Sequence, residues 1–417
     1  MTAASYTQLV NDLFFAPITP LVLNSPSTRA CPEFSDLDFV RLGIQRVLEA
    51  SPSGRGFLQE HGARFAHTPS HTNYFDTLRS ERRGQLLDTV HDALAEVLDP
   101  RLVDRLAHIP ELALYECFAC DGHWHRAATH DPRHDGAKLA VGHFYSLNLR
   151  RDSLRHLACA EGLHEHDMSA LKRVKPRGLR QGVARGRRVL VVYDKAGIDF
   201  QFWKRCRQEC AVYFLSLVKE DMVYDWIKDR DWDREDPRHH GVQSDRSVMT
   251  REGVELRIVE YINPVDGERF AFLTNEPDLP PGVIAELYRR RWEIEKVFDE
   301  IKNKLCERKA WGTSVETRSA QARLIAITHN LLLAYQQHLE NEHDIQNRPE
   351  DRRRIQRTTQ AQEQALQAGR PLTTLVRASR RATQCCVKFI RWLRSALRDQ
   401  LTEDVAVDRL QTLYASP

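Results

Sequence analysis

Residues 188–193 have the sequence RVLVVY, a short β-branched and aromatic run that Asp194 follows. Two earlier runs have the same character: residues 111–120 (ELALYECFAC), which Asp121 follows, and residues 143–149 (HFYSLNL). Their length and composition are typical of buried strands. Helical patterns lie between and after them. This mixture predicts an α/β fold, in which helices flank a sheet and ligands usually bind at the carboxyl ends of strands.

Further strands are predicted downstream, in residues 211–218 (AVYFLSLV), 254–262 (VELRIVEYI) and 269–274 (RFAFLT). We interpret residues 219–265 as a β-rich insertion, an excursion from the main sheet. From the Pro280-Pro281 pair onward the chain is predicted to be helical nearly to its end, because this pair ends any preceding element and suits the start of a helix.

The composition excludes several classes of protein. The 417 residues are 41% hydrophobic and 29% charged, which does not fit a wholly disordered or collagenous chain. No apolar run reaches the ~18 residues that a membrane span needs, and no secretory signal follows Met1. Nine cysteines without an export signal indicate free thiols. We therefore expect a cytoplasmic protein with no membrane partner.

Two basic windows are hidden in a net charge of +3. Residues 171–188 contain eight Lys or Arg and no acid, and residues 352–398 contain twelve, with Glu363 as the single acid. One such run is often a solvated face, but two in one chain favour binding to a polyanion. The second window interleaves apolar residues with its bases, which predicts an amphipathic helix.

Residues 288–302 (YRRRWEIEKVFDEIK) place four polar groups on one side of a predicted helix. The four are Tyr288, Arg291, Glu295 and Lys302. At about 100° per residue, their side chains fall within an arc of about 60°. This stripe borders the apolar face of the helix, so we expect its carboxylate and flanking cations to face a cleft.

Three acids could act together: Asp121 and Asp194 beside their strands, and Glu295 on the helix. Carboxylate oxygens are the ligands that Mg²⁺ and Mn²⁺ prefer, and three of them could hold two ions. Two such ions activate an attacking oxygen and stabilise the leaving one in phosphodiester displacement. The cations of the stripe would then bind the phosphates nearby.

Each of these acids has rivals close by in the sequence. They are Asp131 and Asp135 for Asp121, Asp199 for Asp194, and Asp299 for Glu295. A position directly after a strand-like run favours Asp121 and Asp194. Spacing within the helix does not choose between Glu295 and Asp299, which lie one turn apart.

The order of these elements resembles the DDE transposases of bacterial insertion sequences. The match is to the branch with the Tyr-Arg-Glu-Lys signature. In this branch two acids after strands are followed by a β-rich insertion and then by Tyr-x2-Arg-x3-Glu-x6-Lys on a helix. The spacing of residues 288–302 fits that signature at all four positions, and the signature chooses Glu295 over Asp299. The resemblance covers roughly residues 110–335.

The resemblance implies an RNase H-like core and cut-and-paste DNA transposition, with a hairpin intermediate at the transposon end. It implies that Asp121, Asp194 and Glu295 bind two Mg²⁺ or Mn²⁺ ions. The residues that it places on the terminal transposon strand are Tyr288, Arg291 and Lys302, with Trp292 near a flipped base or, equally, in the core. The implied partners are transposon-end and target DNA and a second copy of the chain, in the bacterial nucleoid.

We divide the chain into three parts on this basis: a helical DNA-binding domain in residues 1–105, the RNase H-like core in residues 106–340 and a basic helical region in residues 341–417. Residues 71–83 predict a helix, a short turn and a helix in the style of a DNA reader, although such pairs are also common packing units. Two other functions remain open, a domesticated transposase that only binds DNA and a metal-dependent nuclease.

A zinc motif is suggested superficially by Cys117-x2-Cys120-x2-His123-x-His125. If this run is a strand, however, side chains alternate, and the two cysteines point to opposite faces. The sequence therefore disfavours zinc at these four residues, and we expect the two histidines simply to lie near Asp121. A Walker-type phosphate loop is missing, so we do not expect ATP as a cofactor.

Overall fold

The computed structural model describes most of the chain between residues 8 and 415. The residues within these limits that it does not describe are 50–52, 64–67, 126–132, 135–136, 139–140, 162–164, 265–266, 308, 313, 346–355, 357–358, 361–362, 364–366 and 368–385. Among the described residues, no helix is both long enough and apolar enough to cross a membrane. Most of the second basic window lies outside the described residues.

Helices form the N-terminal region. They are α1 (Val10–Phe15), α2 (Thr19–Leu23), α3 (Asp36–Leu48), α4 (Gly54–Gly62), α5 (His71–Thr77) and α6 (Glu81–Leu98). Serine side chains start the last four, because Ser35, Ser53, Ser70 and Ser80 each accept a hydrogen bond from a backbone N–H three residues later. The helix pair predicted in residues 71–83 is present, and Ser80 marks the start of its second member.

A five-stranded unit lies at the centre of the fold. Its strands are β1 (Tyr115–His125), β4 (Val141–Asn148), β5 (Leu154–Cys159), β6 (Arg188–Val192) and β7 (Val212–Leu217), in the order β5-β4-β1-β6-β7. A short hairpin, β2 (Arg133–His134) and β3 (Ala137–Lys138), leads into β4. Strands β5, β4 and β1 are antiparallel, whereas β6 and β7 run parallel to β1. Helices α7 (Asp167–Leu179) and α8 (Phe200–Cys210) connect the parallel strands, which completes the RNase H-like core.

The sheet continues beyond β7 through β11 (Arg269–Thr274), β10 (Glu255–Ile262), β9 (Val242–Thr250) and β8 (Tyr224–Asp229). These strands are antiparallel to their neighbours. Residues 219–265 are therefore β-rich as predicted, but they extend the main sheet instead of leaving it. The reason is β11, whose backbone pairs with β7 on one edge and with β10 on the other.

The C-terminal half is helical: α9 (Pro281–Arg290), α10 (Trp292–Asp299), a π-helical turn (Glu300–Lys304), α11 (Val315–His343), α12 (Val387–Arg398) and α13 (Glu403–Ala415). The predicted single helix in residues 288–302 is thus interrupted at Arg291 and ends in the π-helical turn. Ideal helical angles consequently do not extend to Lys302. Single π-helical turns of this kind are frequent at functional sites.

One cluster of buried apolar side chains joins all these regions. It includes Phe14 from α1, Leu147 from β4, Ile325 from α11 and Trp392 from α12. The amphipathic helix predicted in the second basic window is confirmed for residues 387–398, because the apolar face of α12 is buried in this cluster. The N- and C-terminal helices therefore share a core with the sheet, and the domain boundaries at 105 and 340 stay predictions.

Candidate active site

Strand register brings Asp121 and Asp194 side by side. Ala119 on β1 pairs with Val192 on the parallel strand β6, so the two aspartates, each two residues further on, occupy corresponding positions. The sequence suggested that a strand ends at Asp121, but the structure shows that it does not. β1 continues to His125 because β4 pairs with it, and Asp121 lies opposite Tyr145. Asp194 does follow its strand, and its carboxylate accepts a hydrogen bond from the N–H of Ala196 at 2.8 Å.

Arg291 connects Asp121 to Glu295. Its Nη1 lies 3.5 Å from Oδ2 of Asp121, and its Nη2 donates to Oε1 of Glu295 at 2.8 Å. The side chain is 9% exposed and its Nε has no hydrogen-bond partner among the described residues. A buried cation thus bridges a strand carboxylate and a helix carboxylate, which draws α10 to the face of β1.

Burial and repulsion between carboxylates shift the pKa of Asp121. Burial raises this pKa to about 7, and the negative charges of Asp194 and Asp167 add to the effect. The N–H of Gly122 and the charge of Arg291 act in the opposite direction. Several acids therefore compete for too little positive charge, which is the condition that a divalent cation relieves.

Asp167 is the member of this group that the sequence did not predict. It occupies the first turn of α7, and burial followed by the charge of Asp194 raises its pKa to about 6. Gly122 makes room for it: a Cβ on this glycine would lie 3.1 Å from Oδ1 of Asp167. An acid in the first turn of a helix is ordinary helix chemistry, so nothing in the sequence marked this one. We call Asp121, Asp167, Asp194 and Glu295 the carboxylate cluster.

The remaining residues of the stripe differ in exposure. Tyr288 is 6% exposed and its ring packs 5.2 Å from that of Phe272, while the guanidinium of Arg291 lies 5.9 Å from its centroid. Trp292 is 57% exposed, with the Arg291 guanidinium 5.3 Å from its ring. Lys302 is exposed on the π-helical turn. Tyr288 therefore belongs to the wall of the site, and Trp292 to its surface.

A buried ion pair holds the π-helical turn in place behind the carboxylate cluster. Nδ1 of His329 on α11 lies 2.7 Å from Oε1 of Glu300, and both side chains are fully buried. Burial alone would lower the pKa of His329, but the charge of Glu300 outweighs it and the pKa is raised. This pair ties the end of α10, and with it Glu295, to the long helix α11.

The rival acids have other partners. Asp299 is exposed and accepts a hydrogen bond from Nδ2 of Asn303 at 2.6 Å. Asp199 caps α8 and pairs with Lys172 at 2.5 Å. Asp131 and Asp135 lie outside the described residues. Of the helix acids, Glu295 is thus the one linked to Asp121.

Most cations of the first basic window form ion pairs or hydrogen bonds with other residues of the chain. The ion pairs at 4.0 Å or less are Lys172–Asp199, Arg173–Glu165, Arg187–Glu116 and Arg188–Asp278, and Arg180 donates to the carbonyl of Cys210 at 2.9 Å. Four cations of the window make no ion pair with the described residues: Lys175, Arg177, Arg180 and Arg185. Of the eight positive charges in this window, four are therefore left without an acidic partner among the described residues.

The donor set of the carboxylate cluster fits a hard divalent cation. It offers only carboxylate oxygens, three from aspartates and one from a glutamate. Repulsion between these negative charges contributes to the raised pKa values of Asp121 and Asp167. Mg²⁺ and Mn²⁺ are the ions that such ligands suit. The donor types of this candidate site therefore suit a hard divalent cation.

A comparison with known protein families agrees with this geometry. Residues 162–331 match the family model described as the transposase DDE domain, a range that contains Asp194 and Glu295 and begins after Asp121. Among curated proteins no sequence matches. A solved structure of a piggyBac transposase synaptic complex with hairpin DNA aligns with 97% of this chain and 84% of that chain, at 11% identity and a TM-score of 0.33.

The family match confirms the resemblance to DDE transposases, whereas the Tyr-Arg-Glu-Lys branch stays a prediction. It covers the parallel half of the RNase H-like core and the helix that carries Glu295. Residues 162–331 are therefore similar to a transposase DDE domain, and they form part of the RNase H-like core.

Proposed function

We propose that this chain cuts transposon ends and joins them to target DNA at the carboxylate cluster, with Asp121, Asp194 and Glu295 as the metal ligands. The observation that supports this most is the register of β1 and β6, which sets two aspartates side by side, together with the Arg291 bridge from Asp121 to Glu295. When bound there, two Mg²⁺ or Mn²⁺ ions would activate an attacking oxygen and stabilise the leaving one.

The residues around the cluster have distinct proposed roles. Arg291 neutralises two carboxylates in the protein alone, and it becomes available to grip a phosphate once cations take over those carboxylates. Lys302, exposed on the π-helical turn, is a second phosphate contact. Because Tyr288 is 6% exposed, we assign it mainly to positioning Arg291.

The exposed indole of Trp292 suits a base-stacking role. A ring that is 57% exposed beside the active site gains little from the core and offers a flat apolar face to an unpaired base. We therefore propose that it stacks on a nucleotide near the cleaved bond. A hairpin intermediate at the transposon end and pairing of two ends by two copies of the chain complete the proposed cut-and-paste pathway.

The test is a cleavage assay on a duplex that carries the element's own end, with Mg²⁺ or EDTA, resolved on a denaturing gel. Wild type is expected to nick in Mg²⁺ and to proceed to a hairpin that migrates as a doubled strand. Glu295→Gln should lose at least about 10²-fold in rate, the order for loss of one group that stabilises transition-state charge. Asp299→Asn is the matched control and should cut normally.

Other outcomes point elsewhere. If Glu295→Gln nicks at the wild-type rate and Asp299→Asn does not, the catalytic acid is Asp299. If wild type shifts the duplex in a gel but never cuts it, the chain is a DNA-binding protein. If it cuts but does not join the 3′ end to a second duplex, it is a nuclease.

A further inference from the structure

A second group of metal-binding side chains lies on the edge hairpin of the sheet, outside the carboxylate cluster. His143 on β4 pairs in register with Cys159 on β5, and His156 lies three residues before Cys159. Nδ1 of His143 is 3.6 Å from the Cys159 Sγ, and Nε2 of His156 is 3.8 Å from it. The three atoms lie within 4.8 Å of one another. We call them the histidine–cysteine cluster.

These separations are those of ligands around one small ion. With Zn–S of about 2.3 Å and Zn–N of about 2.0 Å, a tetrahedral site sets sulfur and nitrogen about 3.5 Å apart. The two observed S···N distances, 3.6 and 3.8 Å, agree with this value. As hydrogen bonds they are weak, because a thiol is a poor donor and a poor acceptor. A metal ion would satisfy all three groups together.

Burial makes the cluster costly without such an ion. His143 is fully buried, and His156 and Cys159 are 9% and 8% exposed. Nδ1 of His143 has a hydrogen bond to the weakly polar Cys159 thiol, at 3.6 Å. Buried polar groups that lack strong partners are uncommon, and a bound ion is one recognised explanation for them.

The donor types suit a zinc-like ion. Imidazole nitrogen and thiolate sulfur are the ligands that such an ion prefers. Binding would release the proton of the Cys159 thiol, because the thiolate is the form that ligates a metal.

The cluster also has an entry path. A cavity of about 330 Å³ between α6, α7 and α11 is lined by His156 and Cys159, together with Asp92, Arg173 and Arg323. It would admit the ion and would supply a water as fourth ligand. The ring of His156 is also hydrogen-bonded to the backbone of Ala158, the kind of support that fixes the orientation of a ligating histidine.

We propose that Nδ1 of His143, Nε2 of His156 and Sγ of Cys159 bind one Zn²⁺ or a similar borderline-soft divalent cation, with water as the fourth ligand. None of these residues belongs to the Cys117–His125 motif that the sequence suggested for zinc. The ion would fasten β4 to β5 on the strands beside Asp121. This inference is independent of the proposed DNA chemistry, because it depends on different residues and a different cation.

The experiment uses the full chain, stripped of metal and titrated with Co²⁺ alone. Wild type should bind Co²⁺ with the visible bands of a tetrahedral site and the near-ultraviolet charge-transfer band of a Co–thiolate bond. The carboxylate cluster cannot give that band, since it has no sulfur. Cys159→Ser should remove the band, and His156→Gln should weaken the Co²⁺ affinity at least about tenfold. Cys306→Ser, at the exposed cysteine, is the control and should leave both unchanged.

X-ray absorption of the Zn²⁺-loaded wild type provides a measurement that does not depend on any variant folding. One sulfur and two nitrogen ligands at zinc are expected. An all-oxygen first shell would overturn the proposal. It is also overturned if wild type shows no Co–thiolate band, or if the band survives in Cys159→Ser and disappears in Cys306→Ser.

Discussion

The carboxylate cluster and the histidine–cysteine cluster lie on the same sheet but are assembled in opposite ways. The carboxylates come from β1, α7, the end of β6 and α10, so most of the RNase H-like core separates the first, Asp121, from the last, Glu295. The histidines and the cysteine all come from the β4–β5 hairpin. The carboxylate cluster offers only oxygen ligands, whereas the histidine–cysteine cluster offers nitrogen and sulfur ligands.

Because the two clusters offer different ligand atoms, they would bind different cations. Oxygen ligands select Mg²⁺ or Mn²⁺, and imidazole with thiolate selects zinc-like ions. The carboxylate cluster depends on long-range packing, since Arg291, Glu300 and His329 must all be in place to bring Glu295 to Asp121. The hairpin set needs only one antiparallel pair. We expect substitutions in the two clusters to have separable effects.

The largest expected effect tests that separation. Asp194→Asn should reduce DNA cleavage in Mg²⁺ at least about 10²-fold, because it removes a carboxylate from the reacting centre. Cys159→Ser should retain cleavage and instead lose the rise in thermal unfolding temperature that Zn²⁺ gives to wild type. Cleavage rates and unfolding curves of both variants, measured on the same preparations, make the comparison.

The opposite pattern would contradict the separation of the two clusters. If Cys159→Ser abolishes cleavage while remaining folded by circular dichroism, the two clusters form one functional unit. If Asp194→Asn cuts normally, Asp194 is a turn residue, as lone acids after strands often are.

The sequence predicted the core better than its edges. The runs around residues 115–120, 188–192 and 212–217 are rich in β-branched and aromatic residues, and each is a strand. β5 (LRHLAC), β8 (YDWIKD) and β9 (VQSDRSVMT) were not predicted because they are short, polar or charged and have no clear apolar alternation. That they extend the main sheet depends on the pairing of β11 with β7, a long-range contact that composition does not encode.

In the candidate site, too, the sequence predicted the residues whose position in a strand or helix marks them, and it missed the others. Asp194 follows a strand, and the Tyr-Arg-Glu-Lys spacing chose Glu295 over Asp299, so both stood out. Asp167 did not, because an acid at the start of a helix has an ordinary explanation. The histidine–cysteine cluster had no local signal either, since its ligands are brought together by the register of two strands, one of which the sequence did not predict.

The contributions of the two clusters to the free energy of unfolding should change with pH in opposite directions. Asp121 and Asp167 have raised pKa values of about 7 and about 6, so the folded, metal-free protein holds their protons more tightly than the unfolded chain does. Their contribution to the free energy of unfolding is complete below about pH 4 and is lost as pH rises through about 7. Asp121→Asn should remove part of this decline.

His143 and His156 reverse the direction. Their pKa values are lowered, so the unfolded chain binds protons more tightly, and their contribution is present above about pH 6.5 and is lost as pH falls. His156→Gln should flatten that acid-side loss. Urea unfolding in EDTA at a series of pH values measures how the free energy of unfolding changes with pH on the acid and neutral sides. Equal slopes in wild type and both variants would contradict the assigned pKa shifts.

The smallest expected effect concerns α7, which touches both clusters through Asp167 at its start and through Arg173, whose Nη2 donates to the Cys159 carbonyl at 3.0 Å. The first basic window continues from this helix, and Lys175, Arg177 and Arg185 are three of its cations without an ion pair in the described part of the chain. Replacing all three with Gln should reduce the salt dependence of DNA binding by about 0.9 in log–log slope for each phosphate that the variant no longer neutralises.

Fluorescence anisotropy of a labelled duplex at several salt concentrations measures that slope. Lys172→Gln is the matched control, because Lys172 already pairs with Asp199 at 2.5 Å and should contribute little to DNA binding. A triple variant with the wild-type slope would show that the window is a solvated face. A reduced slope with unchanged cleavage at saturating protein would instead separate the surface that holds DNA from the carboxylates that cut it, because phosphate contacts supply affinity and not chemistry.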